Sequence, residues 1–316
     1  MNNRFEGWYF KQQNASQTVA LIPALHQESS GQRAASLQII TDDASYIVPF
    51  AQYQLDRRQY CLTLGDCIFT PNGCRLHLQT DRLTVRGDLR YAEHVRLPFD
   101  VMGPFRFIPF VQCRHSVFSM RHRVDGILQI NDRVFRFDRA PGYAEGDRGY
   151  SFPDWYIWTQ CHIPGGSLML SAAQVRCAGL HFSGCTGAVL YRHRLYRFAT
   201  YCGARILHAN DHGLMLRQGP FTITAQLLQN RSLPLLAPQN GIMRRVIHES
   251  VACRVRYRLL HNGAALFDVS KKQAGFEAAG FDDTASEDFS ETMCCWGSVT
   301  RSTKDGSGSS AIVRNR

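Results

Sequence analysis

Glu145 and Asp147 stand two apart in the run Tyr143-Ala144-Glu145-Gly146-Asp147-Arg148-Gly149. In an extended chain, residues two apart share a face, so both carboxyls would point the same way. Repulsion between two close carboxyls raises one pKa, leaving a protonated acid beside an anion. Such a pair can give and receive a proton in one reaction. A plainer reading competes with it: Asp and Glu beside Gly commonly serve turns, and these two could pair with Arg148 and Arg139. His115, in Cys113-Arg114-His115-Ser116, could hold a substrate hydroxyl or act as a base. Cys113 shares its face in a strand, although a buried inert thiol is the commoner role of cysteine. The π faces of Trp8, Tyr9, Trp155, Tyr156 and Trp158 could stabilise cationic carbon, or simply pack a β-core. Glu6 fits either a pocket charge or a salt-bridged strand end. Glu249 and Arg114 could form a buried pair joining two halves of the molecule, or a surface pair of little weight. Cys113, His115, Cys161 and His162 supply two Cys and two His. They lack the short CxxC or HxxxH spacing of a metal site, and adjacent residues of a strand face opposite ways, so no metal is expected.

The elements that must position these residues read as strands. Cys74, Leu76 and Leu78 alternate with Arg75, His77 and Gln79; after Thr80-Asp81, Leu83, Val85 and Leu89 alternate with polar residues. Period-two alternation marks a hairpin with one buried face. The pattern recurs at Leu128–Phe137, Phe221–Leu227 and Val255–Val269, the last interrupted by Asn262-Gly263, a strong hairpin-turn signal. Only Met243–Ala252 reads as a short helix, from apolar residues at 243, 246, 247 and 251. The fold class expected is all-β, mainly antiparallel, built as sandwiches or barrels. Alternation stops between Asp138 and Asp154, where Gly, Pro, Asp and Tyr dominate, and long connections of this kind are usually functional or interdomain. The expected organisation is an N-terminal β module over residues 1–140, a motif-bearing connection over 141–154, a C-terminal β module over 155–280 and a disordered tail over 281–316.

Composition bounds the function. With 316 residues and 44% hydrophobic content the chain can bury a large core. No apolar run approaches the roughly 18 residues of a membrane helix, and the first residues lack the apolar core of an export signal. A cytoplasmic location is expected, and the 11 cysteines read as free thiols. The net charge of +10 is nearly all arginine. The arginines alternate along strands instead of clustering, so nucleic acid is not an expected partner. There is no phosphate loop, nucleophile elbow or dinucleotide-binding pattern. Nothing in the chain specifies an oligomeric state.

Four segments combine these residues: Gly7-Trp8-Tyr9-Phe10-Lys11; Met102-Gly103-Pro104-Phe105 with Cys113-Arg114-His115; Tyr143-x-Glu145-x-Asp147-x-Gly149-x-Ser151-Phe152-Pro153 with Trp158-x-Gln160-Cys161; and Ala274-Gly275-Phe276-Glu277. Together they resemble the tocopherol cyclase family over about Arg4 to Glu277. Two positions depart from the family pattern: Arg148 stands where Trp is expected, and His162 where Asn is expected. The resemblance implies paired lipocalin-like β modules and closure of a chromanol ring on a prenylated hydroquinone. That reaction needs no cofactor. An alkene is protonated, a phenol oxygen attacks the tertiary cation, and the phenol proton leaves, in a dry pocket that folds the prenyl tail toward attack geometry. On this reading Glu145, Asp147 and His115 are catalytic. Trp8, Tyr9, Arg114, Tyr143, Trp155, Trp158 and Gln160 contact a hydrophobic prenylated aromatic substrate, and an oily substrate implies peripheral membrane contact. The competing expectations are a non-catalytic carrier of a hydrophobic ligand and an arginine-mediated binder of an anionic surface.

Overall fold

The computed structural model describes residues 3–27, 30–109, 111–177, 180–281 and 311–314. Two antiparallel sheets account for nearly all of it. The first contains β1 (Arg4–Gln13), β2 (Thr18–Gln27), β3 (Arg33–Thr41), β4 (Ala44–Phe50), β5 (Tyr53–Asp56), β6 (Cys61–Leu64), β7 (Cys67–Thr70), β8 (Gly73–Gln79), β9 (Thr84–Val95), β10 (Cys113–Ile130) and β11 (Arg133–Gly149). The second contains β12 (Tyr156–Ile163), β13 (Gly166–Cys177), β14 (Leu180–Tyr191), β15 (Arg194–Ala199), β16 (Arg205–Asn210), β17 (Gly213–Gln218), β18 (Phe221–Gln229), β19 (Leu233–Gln239), β20 (Ile242–His261) and β21 (Ala264–Ala279). A last strand, β22 (Ala311–Arg314), pairs with β4 at the edge of the first sheet. The rest of the stretch expected to be a tail, 282–310 and 315–316, lies outside the described residues. The fold is all-β, as the alternation predicts, and lipocalin-like, as the resemblance implies.

Each sheet curls around its own core. In the first, Phe10 of β1 stacks on Phe69 of β7 at 6.3 Å and on Tyr91 of β9 at 5.9 Å, so the middle of the sheet faces its later strands across an apolar interior. The β8–β9 hairpin alternates buried and exposed residues because its other face meets water. By contrast, β2 is buried along most of its length. It belongs to a wall that faces the first core on one side and the second sheet on the other. A third cluster, including Tyr9, Ile40, Met120, Trp158, Met169 and Val251, joins the two sheets.

Two expectations are corrected. Met243–Ala252 is not helical: it lies inside β20, paired with β19 and β21. Val246, Ile247 and Val251 are β-branched and favour a strand. A register shift between Ser250 and Cys253 breaks the period of two there, which gives a false helical spacing. The run from Asp138 to Gly149 is not an irregular connection either; it continues β11, hydrogen-bonded to β1 and β10. Its glycines let neighbours come close, since a Cβ on Gly142 would lie 2.3 Å from His122 Nε2. Among the described residues no helix is long and apolar enough to cross a membrane, which does not bear on crossing by strands.

Candidate active site

The wall shared by the sheets places the candidates. In the antiparallel register His115 of β10 lies directly opposite Asp147 of β11, and Glu145 follows on the same face. His115 Nδ1 is 3.0 Å from Asp147 Oδ1, and its Nε2 lies 3.4 Å from Glu145 Oε2. Cys113 donates its thiol to Asp147 at 3.5 Å. Burial opposes a charge on His115, but Glu145 and Asp147 together outweigh it and push the imidazole up to about 9. His115 therefore keeps its proton at neutral pH. Donor atoms of these three residues lie within 4.8 Å of one another. The four residues of the two-Cys, two-His pattern do not gather: His162, whose ring nitrogens meet no hydrogen-bond partner, lies within electrostatic reach of Lys11 and His122 instead.

Glu145 is buried, at 5% exposure. Its Oε2 accepts the Tyr143 hydroxyl and, at 3.1 Å, the Trp158 indole N–H. Burial raises its pKa to about 7: the His115 charge and the two hydrogen bonds lower it, while Asp147 raises it further. Glu145 thus titrates close to neutrality, where a group best gives and takes protons.

These residues border a cavity of about 210 Å³ between the sheets. Its wall is mostly apolar: Phe5, Ile22, Val101, Phe105, Ile108 and Leu235 are among the lining residues. Tyr9, Trp8 and Trp158 also line it, with Tyr9 and Trp158 packed edge to face at 5.4 Å. The other candidates lie elsewhere. Tyr143 is fully buried behind Glu145. Gln160 accepts a 3.0 Å hydrogen bond from the buried Lys11 ammonium and is not part of the cavity wall. Trp155 packs on the second core and on Phe281 at 5.4 Å. Arg114 donates to the Ile108 carbonyl at 3.0 Å and lines a separate surface hollow with Arg106, Phe107 and Arg148. Arg114 therefore does not reach Glu249, and the expected pair between them is absent. Arg148 is exposed, and Arg139 meets Asp125 through its backbone N–H and its charge, so neither arginine holds the carboxyl pair. Glu6 pairs with Arg57 at 2.6 Å, the salt-bridge alternative.

Residue spacing did not single out Glu277 as part of the site. Glu249 and Glu277 both line the cavity from the second sheet, at 3% and 7% exposure. Tyr156 donates its hydroxyl to Glu277. The local signal was available: each glutamate stands beside a run of small and apolar residues, and Glu277 closes the Ala-Gly-Phe-Glu motif.

Among solved structures the chain is similar to CghA determined with Sch210972, with a TM-score of 0.55, 10% identity, and coverage of 89% of this chain and 89% of that one. It is also similar to a candidate ATTH protein from Nitrosomonas europaea, with a TM-score of 0.50, 13% identity, and coverage of 88% and 93%. At such identities the likeness defines the fold. No protein-family model matches the chain, and no curated protein matches its sequence. Fold and site together define an all-β, lipocalin-like protein with buried acids and a histidine in the wall of an apolar cavity.

Proposed function

We propose that the protein is a cofactor-independent isomerase of the tocopherol cyclase type, which protonates a prenyl double bond and closes a chromanol ring on a prenylated hydroquinone or related isoprenoid lipid. The observation that carries this reading is the His115–Glu145–Asp147 group set into an apolar cavity wall. An alkene is a very weak base, so its protonation needs an acid kept protonated in a dry place. Cation formation then needs aromatic faces and a nearby anion, and Trp8, Tyr9 and Trp158 border the same space as the carboxyls. The exposed Phe107, at 73%, stands beside Arg106 at the rim segment. An apolar side chain flanked by arginines suits contact with an anionic membrane surface, from which a cytoplasmic enzyme could draw an oily substrate.

A non-catalytic carrier is the second reading, favoured by the apolar lining alone. It leaves the buried acids without a purpose, although burying ionisable groups is costly. The reading is tested with Glu145→Gln and Asp147→Asn. Each should keep the circular dichroism of the parent and lose at least about 100-fold in conversion of a prenylated hydroquinone to its chromanol. Parental rates in both variants would end the role assigned to this pair.

A further inference from the structure

Across β12, β21 and β20, Trp158, Glu277 and Glu249 form one cross-strand row: Trp158 opposes Glu277, which opposes Glu249. Like charges directly opposite on a sheet repel, and these two are buried against an apolar cavity. Among the described residues no Lys, Arg or His lies within ion-pair distance of either one, whereas His115 takes both Glu145 and Asp147. Glu249 Oε1 and the Tyr9 hydroxyl, which is 8% exposed and lines the same space, make no close hydrogen bond beyond their interaction with each other. Glu249 and Tyr9 thus present incompletely satisfied polar atoms to whatever fills the cavity, beside a Glu277 carboxyl that accepts the Tyr156 hydroxyl.

We propose that Glu249 and Glu277 deliver the proton that starts the ring closure, from the second sheet, while the His115–Glu145–Asp147 group on the first sheet receives the phenol proton. This assignment rests on the ring-closure reading. The alkene π electrons take the proton from the carboxyl pair, forming a C–H bond and a tertiary cation. The new carboxylate lies beside that cation and stabilises it. The phenol oxygen forms the C–O bond, and its O–H electrons stay on oxygen as the proton passes to the first-sheet group. Glu145, which titrates at about 7 beside the His115 cation, can accept it in its ionised form. The proton then returns to Glu277, which interacts electrostatically with both Glu145 and Asp147. No co-reactant is consumed.

Burial pushes Glu277 up to about 8; the Tyr156 hydroxyl and Arg245 lower it, while Asp147 and Glu145 raise it. Burial and Glu277 raise Glu249 well above the carboxylate range, against Tyr9 and Lys11, which lower it. Glu277 is therefore mostly protonated at neutral pH, and Glu249 is pushed in the same direction. The test has two readouts. The first is the infrared band of protonated carboxyls in the ligand-free protein, titrated with pH. It should persist at neutral pH, fade as the pH rises through about 8, and shrink in Glu277→Gln but not in Asp147→Asn. The second is the pH profile of chromanol formation from a prenylated hydroquinone. The alkaline limb should fall over the same range, and Glu277→Gln should lower kcat at least about 100-fold with little change in KM. Tyr156→Phe removes a hydrogen bond that favours the anion, so its alkaline limb should move to higher pH. Absence of the band at neutral pH, or parental kcat in both Glu249→Gln and Glu277→Gln while Glu145→Gln is inactive, overturns the assignment and leaves the ring-closure reading standing. Failure of the parent protein to convert the hydroquinone, with the band present, overturns the reading itself and the delivery role with it.

Discussion

At the scale of single residues, protonation is written into the stability of the fold. Glu277 binds its proton up to about pH 8 in the folded chain, against an ordinary value of 4.5. Between those values the folded state holds more protons than the unfolded state, so stability is greatest at low pH and falls as pH rises. His115, raised from 6.5 to about 9, acts with the same sign: its stabilisation is full below 6.5 and lost as pH rises through about 9. Lys11, lowered from 10.5 to about 8 by burial, acts oppositely, its stabilisation growing only above that value. The urea midpoint should therefore drop between about pH 5 and about pH 8, and Glu277→Gln should flatten that drop. Equal slopes for parent and variant would show that Glu277 is ionised in the folded protein.

At the scale of elements, the site depends on how closely β12 and β21 approach. A Cβ on Gly275 would lie 2.9 Å from two ring atoms of Trp158, whose indole N–H holds Glu145. Gly275→Ala should cost about 1–3 kcal/mol of stability by overpacking, read from urea denaturation. It should also weaken turnover by displacing Trp158. An unchanged midpoint would mean that the ring can move aside freely. Strands with one wet face were legible in the sequence: β8, β9 and the β20–β21 hairpin at Asn262-Gly263 carry clean alternation or turn chemistry. The end of β11 and the start of β20 were not, because both faces are covered there and bulges interrupt the period. The site divides likewise. Glu145 and Asp147 were legible because they lie two apart, and their facing of His115 follows only from the β10–β11 register. Glu249 and Glu277 lie more than 100 residues beyond them, and only the packing of one sheet on the other unites the four acids.

At the scale of the whole molecule, the cavity belongs to neither sheet alone. First-sheet residues such as Tyr9, Ile22 and His115 face second-sheet residues such as Trp158, Leu235 and Glu277 across it. Lys11 of β1 adds a polar tie, donating to Gln160 and, at 2.8 Å, to the Gln273 carbonyl. Residues 1–154 produced alone should expose the apolar interface and fail to bind a prenylated hydroquinone, as judged by quenching of tryptophan fluorescence. Saturable binding by that fragment would place the ligand inside the first curled sheet instead.

Proton delivery to the alkene is read most directly by ring closure in deuterium oxide, followed by mass spectrometry of a prenylated hydroquinone incubated with the full-length protein. Proton delivery to the alkene from exchangeable protein groups predicts a chromanol carrying one deuterium on the carbon next to the new C–O bond. Recovery of unchanged hydroquinone, bound but not closed, would contradict it and leave the cavity as that of a carrier.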